Sequence, residues 1–139
     1  MRGGKLTTNR RKQIHRLLTT VPFASLIGIR LDELEFGQAS LFLDVRDELK
    51  QNNGVVHGGA IACLVDTATA FAGTTVIRAT ERLATVDLTI KYLSPLTSGR
   101  AIALANVIKT GKRLITIAVN VQDQDGTPIA AALSTYIRS

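Results

Sequence analysis

Apolar residues recur along this chain with a helical period in two stretches and with a strand-like alternation in most of the remainder. In the first helical stretch, residues 9–19, one face carries Ile14, Leu17 and Leu18. Asn9 is of a type that caps helices, and Pro22 marks a point beyond which this helix does not continue. The pattern predicts a short amphipathic helix before the first strand.

The second helical stretch follows His57 and is almost wholly apolar. No proline occurs between Gly58 and about Thr75, and the residues at helical spacing are Ile61, Leu64, Val65, Ala68, Phe71 and Ala72. A helix that is apolar on nearly every face is buried within its domain. We therefore expect a central helix of about 17 residues, roughly 25 Å long.

In six further segments, apolar and polar residues alternate as they do in β-strands, and turn residues separate these segments. They are residues 28–36, 39–45, 82–93, 101–110, 113–123 and 129–138. The first two, joined at Gly37-Gln38, predict a β-hairpin, whereas the last four are expected to form a meander. The polar residues 46–56 predict a loop between the hairpin and the central helix. Together these elements predict an α+β domain in which one sheet wraps one helix.

The net charge of +6 is confined to one end of the chain. Residues 1–16 contain no acidic residue, and their basic residues are Arg2, Lys5, Arg10, Arg11, Lys12 and Arg16. We therefore divide the chain into a basic N-terminal arm with a short helix, residues 1–20, and one domain, residues 21–139. Aromatic residues make up only 4% and tryptophan is absent, so the stacking platforms that bind nucleic acids are missing. We expect no nucleic-acid partner.

The distribution of apolar residues and cysteine indicates a cytoplasmic protein. No apolar run approaches the roughly 18 residues that span a bilayer, and no uninterrupted apolar stretch follows the basic N-terminus as in a signal peptide. The single cysteine, Cys63, has apolar neighbours and no partner for an internal disulfide, which indicates a buried thiol in a reducing compartment. We expect no membrane partner.

Few residues carry the chemistry of an enzyme, and Asp66 stands out by its position in the central helix. The chain lacks zinc-site spacings, nucleotide-binding glycine loops and the serine hydrolase elbow, so we expect neither metal nor cofactor. Asp66 shares its helix face with small residues, namely Gly59, Ala62, Ala70 and Gly73. A buried carboxylate requires partners. Two readings stay open: a structural bond to a loop amide or to an arginine across a subunit interface, and a catalytic acid approached by a ligand.

The entrance of this helix, His57-Gly58-Gly59, is the second candidate feature. A helix N-terminus offers unpaired N–H groups and a positive dipole end, which suit an anion or a developing oxyanion. The alternative is that the glycines only permit a tight turn and that His57 stabilises it. Gly58 and Asp66 lie roughly 12 Å apart along the axis, so one helix cannot bring both to one carbonyl. Two antiparallel copies could, so a catalytic site of this kind requires a homodimer as its minimal functional unit.

Residues 51–66, QNNGVVHGGAIACLVD, resemble the N-x-x-G-x-x-H-G-G-x(6)-D pattern of hotdog-fold thioesterases of the phenylacetyl-CoA thioesterase (PaaI-like) family. Thr85-Val86-Asp87-Leu88 and Tyr92-Leu93-Ser94-Pro95 are similar to the segment that follows in that family. The resemblance covers about residues 20–138. It implies a hotdog fold, with about six antiparallel strands wrapped around the central helix, and a homotetramer built from two dimers.

The resemblance also implies roles for individual residues. The Gly58 N–H would polarise the thioester carbonyl, and Asp66 of the facing subunit would act as general base on water or as nucleophile. Thr85 would orient the water or the carboxylate. Gln51 stands where the family commonly has asparagine and is our candidate for holding the carbonyl or water, with Asn52 and Asn53 as rivals in register. We assign substrate binding to His57, Gly59, Asn53 and Ala70.

The function that these expectations favour is hydrolysis of an aryl- or medium-chain acyl-CoA thioester to free acid and CoA. Basic residues that could meet the CoA phosphates are Lys91, Lys109, Lys112, Arg113 and those of the N-terminal arm. The main alternative is a hotdog protein that binds acyl-CoA or another acyl ligand without turnover. Two further alternatives are a hotdog dehydratase or hydratase and a nucleic-acid binder that uses the basic arm.

Overall fold

The computed structural model describes residues 4–139, so Arg2 of the basic arm lies outside the described residues. The elements in chain order are α1 (Thr8–Thr19), α2 (Pro22–Ile27), β1 (Ile29–Glu35), β2 (Gln38–Asp44), α3 (Gly58–Thr74), β3 (Leu83–Tyr92), β4 (Arg100–Thr110), β5 (Leu114–Asp123) and β6 (Pro128–Arg138). Both predicted helices and all six predicted strands are confirmed, each end to within one residue. Within the described residues, no helix is long and apolar enough to cross a membrane.

The six strands form one antiparallel sheet in the order β1-β2-β4-β5-β6-β3. The predicted hairpin is confirmed, but the expected four-stranded meander is wrong. Only β4, β5 and β6 follow one another, while β3 pairs with β6 at the far edge and β4 pairs with β2. The connection through α3 carries the chain across the sheet before β3 begins. The alternation of apolar and polar residues within a strand cannot predict this crossing, because the alternation depends only on local sequence.

The core lies between the sheet and α3, which packs across the strands. In β5 the inward residues Ile115, Ile117, Val119 and Val121 are buried, as the alternation predicts. Gly73 of α3 is buried as well, and a methyl group there would lie 2.8 Å from Leu83 Cδ1. Its small size therefore serves close packing of the helix on the sheet, unlike the more open positions of Gly59, Ala62 and Ala70.

The N-terminal region joins the same core. Ile14 and Leu18 of α1 are buried in it. The predicted cap Asn9 is wrong, because the helix begins earlier and the Oγ1 of Thr7 accepts the Arg10 N–H at 3.1 Å. Pro22 does follow the end of α1, but it also opens the unpredicted helix α2, where a first-turn proline has no N–H to lose.

A two-pronged ion pair fastens the connection between α3 and β3 to the end of β6. Both carboxylate oxygens of Glu81 lie 2.8 Å from Nη2 of Arg138, and the backbone N–H of Arg78 donates to Oε2 at 2.8 Å. The bond from Arg78 and the guanidinium of Arg138 lower the pKa of Glu81 to about 2. The ionised carboxylate therefore stabilises the folded state.

We expect Glu81→Gln to lower the melting temperature most near neutral pH. An unfolded glutamate has a pKa of about 4.3, so the contribution of Glu81 is complete above that pH and is lost as the pH falls toward about 2. Thermal unfolding followed by circular dichroism over this range measures the difference. Glu35→Gln, which removes an exposed pair with Arg11, is the control with a small effect. An equal deficit of Glu81→Gln at neutral and acid pH would contradict the prediction.

Candidate active site

The N-terminus of α3 is capped by the side chain of His57. Its backbone is extended, and Nδ1 accepts the Gly59 N–H at 2.7 Å. The interpretation that His57 stabilises the turn is thus confirmed. Because Nδ1 is the acceptor, a neutral ring carries its proton on Nε2. A methyl group at Gly59 would lie 2.8 Å from Nδ1, so the cap requires a residue without a side chain there.

Gly58 supplies the first N–H of α3, and no acceptor within residues 4–139 receives it. Its carbonyl oxygen accepts the hydroxyl of Tyr92 from the end of β3 at 2.8 Å. Gly58 lines a cleft of about 350 Å³, whose other lining residues are Gln51, Val55, Val56, Ile61, Tyr92, Leu93, Ser94, Pro95, Leu96 and Ile129. The cleft therefore adjoins a helix N-terminus whose first N–H has no acceptor within residues 4–139, and its walls are mainly apolar.

Of the three neighbouring amide side chains, Gln51 lines this cleft, and Asn52 and Asn53 do not. The loop is held by bonds from the Gln51 N–H to the Val55 carbonyl and from the Gly54 N–H to the Gln51 carbonyl. Asn53 Oδ1 accepts the Val55 N–H at 3.2 Å and so helps to hold the turn. The structure thus brings Gln51 beside Gly58 and uses Asn53 within the loop.

Asp66 is half-buried in the middle of α3 and receives two hydroxyl groups from the sheet. Thr85 Oγ1 of β3 and the Tyr136 hydroxyl of β6 each lie 2.9 Å from Asp66 Oδ1. Thr85 and Tyr136 are direct partners across the β3–β6 ladder, so their side chains project toward the same face. Neither a loop amide nor an arginine within residues 4–139 pairs with the carboxylate. The site therefore brings Asp66 and Thr85 together, as expected, and adds Tyr136.

Tyr136 is not among the site residues that the sequence predicted. Its side chain is 2% exposed, and burial raises its pKa, so the phenol stays protonated and available as a donor. Two signals in the sequence could have drawn attention to it: an inward position in the alternation of the last strand, and the need of any buried tyrosine hydroxyl for a partner.

Cys63 and Ala70 line two other cavities beside α3. Cys63 is half-buried rather than buried, because it faces a cavity of about 360 Å³ shared with Phe23 and His57 instead of the sheet. Burial, and secondarily the charge of Asp66, raises the pKa of the thiol. Ala70 lies one turn beyond Asp66 and lines a wider groove of about 1030 Å³ between α1 and the α3–β3 connection.

The six-stranded antiparallel sheet wrapped around one long helix defines the protein as a hotdog-fold protein. Its sequence matches the Thioesterase superfamily over residues 53–130, more than half of the chain. The chain belongs to this superfamily and is a thioester hydrolase. The matched residues include Gly58, Asp66 and Thr85.

Individual relatives agree with this assignment. The chain is 26% identical over 132 residues to the medium/long-chain acyl-CoA thioesterase YigI of Salmonella typhimurium, covering 84% of this chain and 85% of YigI. Among solved structures, the PaaI protein of the E. coli phenylacetic acid degradation operon superposes with a TM-score of 0.88 at 21% identity, covering 96% of each chain. A thioesterase family protein from Silicibacter pomeroyi gives 0.86 at 23%, covering 92% of this chain and 96% of that one. The two structural likenesses concern the fold.

Proposed function

We propose that the protein hydrolyses an aryl- or medium-chain acyl-CoA thioester to the free acid and CoA. The observation that carries the proposal is the environment of the Asp66 carboxylate. Two hydroxyl groups donate to one of its oxygens, and the carboxylate lies on a face of α3 formed by small residues. The Gly58 N–H, which has no acceptor among the described residues, supplies the complementary donor. The relationship to YigI, which is named for medium- and long-chain acyl-CoA, supports a CoA thioester as the substrate.

In the proposed reaction, the Gly58 N–H donates to the thioester carbonyl oxygen and stabilises the negative charge that develops there. Asp66 takes a proton from water as the water oxygen attacks the carbonyl carbon. When the intermediate collapses, the C–S bond breaks and Asp66 returns the proton to the departing sulfur. The same carboxylate could instead attack the carbon directly and form an acyl anhydride that water then hydrolyses. The Gln51 amide would hold the carbonyl or the water.

This reaction requires two chains. Gly58 and Asp66 are eight residues apart on the same α-helix, so roughly 12 Å separates them along its axis. A carbonyl under attack needs its amide donor and its base each within about 3 Å. In our proposal, Gly58 of one subunit therefore faces Asp66 of the other, and each pair of subunits has two sites.

The exposed edge strand β3 supports this pairing. β3 has ten residues, pairs only with β6 among the described strands and keeps Val86 and Tyr92 each 55% exposed. Long edge strands with apolar side chains are rarely left uncovered in soluble proteins. Antiparallel pairing of two β3 strands would continue the sheet and bring the two α3 helices side by side. This arrangement would cover the helix-facing residues Leu88 and Ile90, which α3 of the same chain leaves half-exposed.

A second contact between dimers, giving the homotetramer, is supported by apolar residues on the outer face of the sheet. Leu114 is 50% exposed and Leu133 is 48% exposed. Both lie opposite outward residues of the neighbouring strand, Leu114 opposite Ile137 and Leu133 opposite Ala118. An apolar outer face of this kind is typical of a surface that associates with a further copy.

The proposal is tested by an assay of the purified protein against benzoyl-, phenylacetyl-, short-, medium- and long-chain acyl-CoA. We expect release of free thiol, with the highest kcat/KM for an aryl or medium-chain thioester, because the walls of the Gly58 cleft are mainly apolar. A thiol-reactive chromogenic reagent follows the release of CoA. Tight acyl-CoA binding without thiol release would instead identify a non-catalytic acyl-CoA-binding protein.

A further inference from the structure

The hydroxyl group of Tyr136 lies within hydrogen-bond distance of three oxygen atoms of α3. The phenol oxygen lies 2.9 Å from Asp66 Oδ1, 2.9 Å from the Asp66 carbonyl oxygen and 2.8 Å from Thr69 Oγ1. Thr69 is completely buried and also lies 2.9 Å from the Asp66 carbonyl oxygen. The hydroxyls of Tyr136 and Thr69 therefore form a hydrogen-bonded network with Asp66 where β6 packs against α3.

The number of protons available determines which atom donates in each of these hydrogen bonds. Tyr136 has one O–H and Thr69 has one O–H, so each donates a single hydrogen bond. An ionised carboxylate is a stronger acceptor than a carbonyl or a hydroxyl, so the proton of Tyr136 goes to Asp66 Oδ1. Thr69 then donates to the Tyr136 oxygen or to the Asp66 carbonyl. Burial raises the pKa of the phenol, so Tyr136 is a donor near neutral pH.

The two oxygens of Asp66 consequently differ. Oδ1 receives both Thr85 and Tyr136, one from each of two paired strands, whereas Oδ2 receives no donor within residues 4–139. Two donors on one oxygen restrain rotation of the carboxylate about its Cβ–Cγ bond. We propose that Tyr136 is a positioning residue that makes Oδ2 the oxygen that accepts the proton from water or attacks the thioester. This inference rests on the proposed function.

The test compares Tyr136→Phe with Ser134→Ala. Tyr136→Phe keeps the ring and removes the hydroxyl, so we expect kcat to fall about tenfold while KM stays within about twofold. Ser134 is buried on the same face of β6, two residues away, and its hydroxyl donates to the Asp87 carbonyl at 2.9 Å. Ser134→Ala therefore removes a comparable bond to β3 but should keep the wild-type kcat. Thermal unfolding of both variants measures the stability that each loses.

A spectroscopic titration tests the contact without using activity. The chain has two tyrosines, so in a Tyr92→Phe background the ultraviolet signal of tyrosinate reports Tyr136 alone. Burial is the main cause of its raised pKa, and the charge of Asp66 adds to it. Asp66→Asn in this background should therefore lower the pKa of Tyr136 while leaving it above that of a free tyrosine. No change would mean that the two groups do not interact.

The outcomes separate the two hypotheses. Full activity of Asp66→Asn would remove the proposed function itself. An inactive Asp66→Asn together with wild-type kcat in folded Tyr136→Phe would overturn the positioning role and leave the proposed function standing. A fall in kcat that Ser134→Ala reproduces would also overturn it, since any buried hydroxyl of β6 would then have the same effect. If Tyr136→Phe does not fold, a Tyr136 pKa that Asp66→Asn leaves unchanged would overturn the positioning role, because the two groups would then not interact.

Discussion

Asp66→Asn should reduce kcat for acyl-CoA hydrolysis by about a thousandfold and leave the fold intact, since general-base catalysis contributes about 10²–10⁴. An amide has nearly the shape of the carboxylate, and its oxygen can still accept the bonds from Thr85 and Tyr136. It neither takes a proton from water near neutral pH nor attacks a thioester. Steady-state thiol release measures the loss, and circular dichroism establishes that the variant is folded.

Asp87→Asn is the matched control for this prediction. Asp87 lies on β3 two residues after Thr85, and its Oδ1 accepts the backbone N–H of Thr135 at 3.2 Å. A register shift between Thr85 and Asp87 separates it from the residues that face Asp66. We expect Asp87→Asn to keep the wild-type rate. Wild-type activity in folded Asp66→Asn would refute the role of Asp66 in both proposed routes.

Gly58→Pro should reduce kcat by about a hundredfold or more, which is the usual cost of removing one oxyanion donor. Gly58 is the first residue of α3, where proline is tolerated because its missing N–H has no partner in the helix. His57 before it has φ −62° and ψ 134°, the conformation that a following proline favours. The substitution therefore removes the proposed donor and keeps the backbone conformation, but it also adds the atoms of the proline ring.

Gly58→Ala separates the loss of the donor from crowding. A Cβ at this position would lie 3.2 Å from the ring of Tyr92, which is exposed and has room to shift. Alanine adds this atom and keeps the N–H, so its rate measures the steric effect of the Cβ without loss of the donor. Equal losses of kcat in the alanine and proline variants would show that crowding, rather than the missing N–H, lowers the rate.

Mixing the Asp66→Asn and Gly58→Pro variants, both of which should have low activity, tests the sharing of the site between subunits. A heterodimer of Asp66→Asn and Gly58→Pro chains has one site with both groups intact and one site with neither. Refolding the two chains together in equal amounts should restore about a quarter of the wild-type activity, given random pairing of isologous subunits. If the activity stays at the level of the separate variants, each site lies within one chain.

Local sequence predicted the elements well, because helical and strand periods are properties of neighbouring residues. The boundaries of α3 and of all six strands agree to within one residue. The errors concern signals that compete locally or act over a distance. Thr7 rather than Asn9 caps α1, since both residue types suit the role, and Pro22 both follows one helix and opens another.

The candidate site likewise has features that the sequence predicts and features that depend on the tertiary structure. The order of Gln51, Gly58 and Asp66 along the chain, with one helix carrying two of them, follows from the sequence alone. That Gln51 rather than Asn53 lines the cleft depends on how the loop folds back between residues 51 and 55. That Cys63 is half-buried depends on which side of α3 the sheet covers.

The central helix, its glycine entrance and its single acid could all be predicted from the order of residues alone, because spacing along a helix converts directly into distance along its axis. Only the tertiary structure placed β3 beside β6, and so brought Thr85 and Tyr136 to one oxygen of Asp66. These two residues are 51 positions apart in the chain. The pairing of distant strands depends on the path of the chain across the sheet, and the periodicity of apolar residues within a strand or helix does not predict that path.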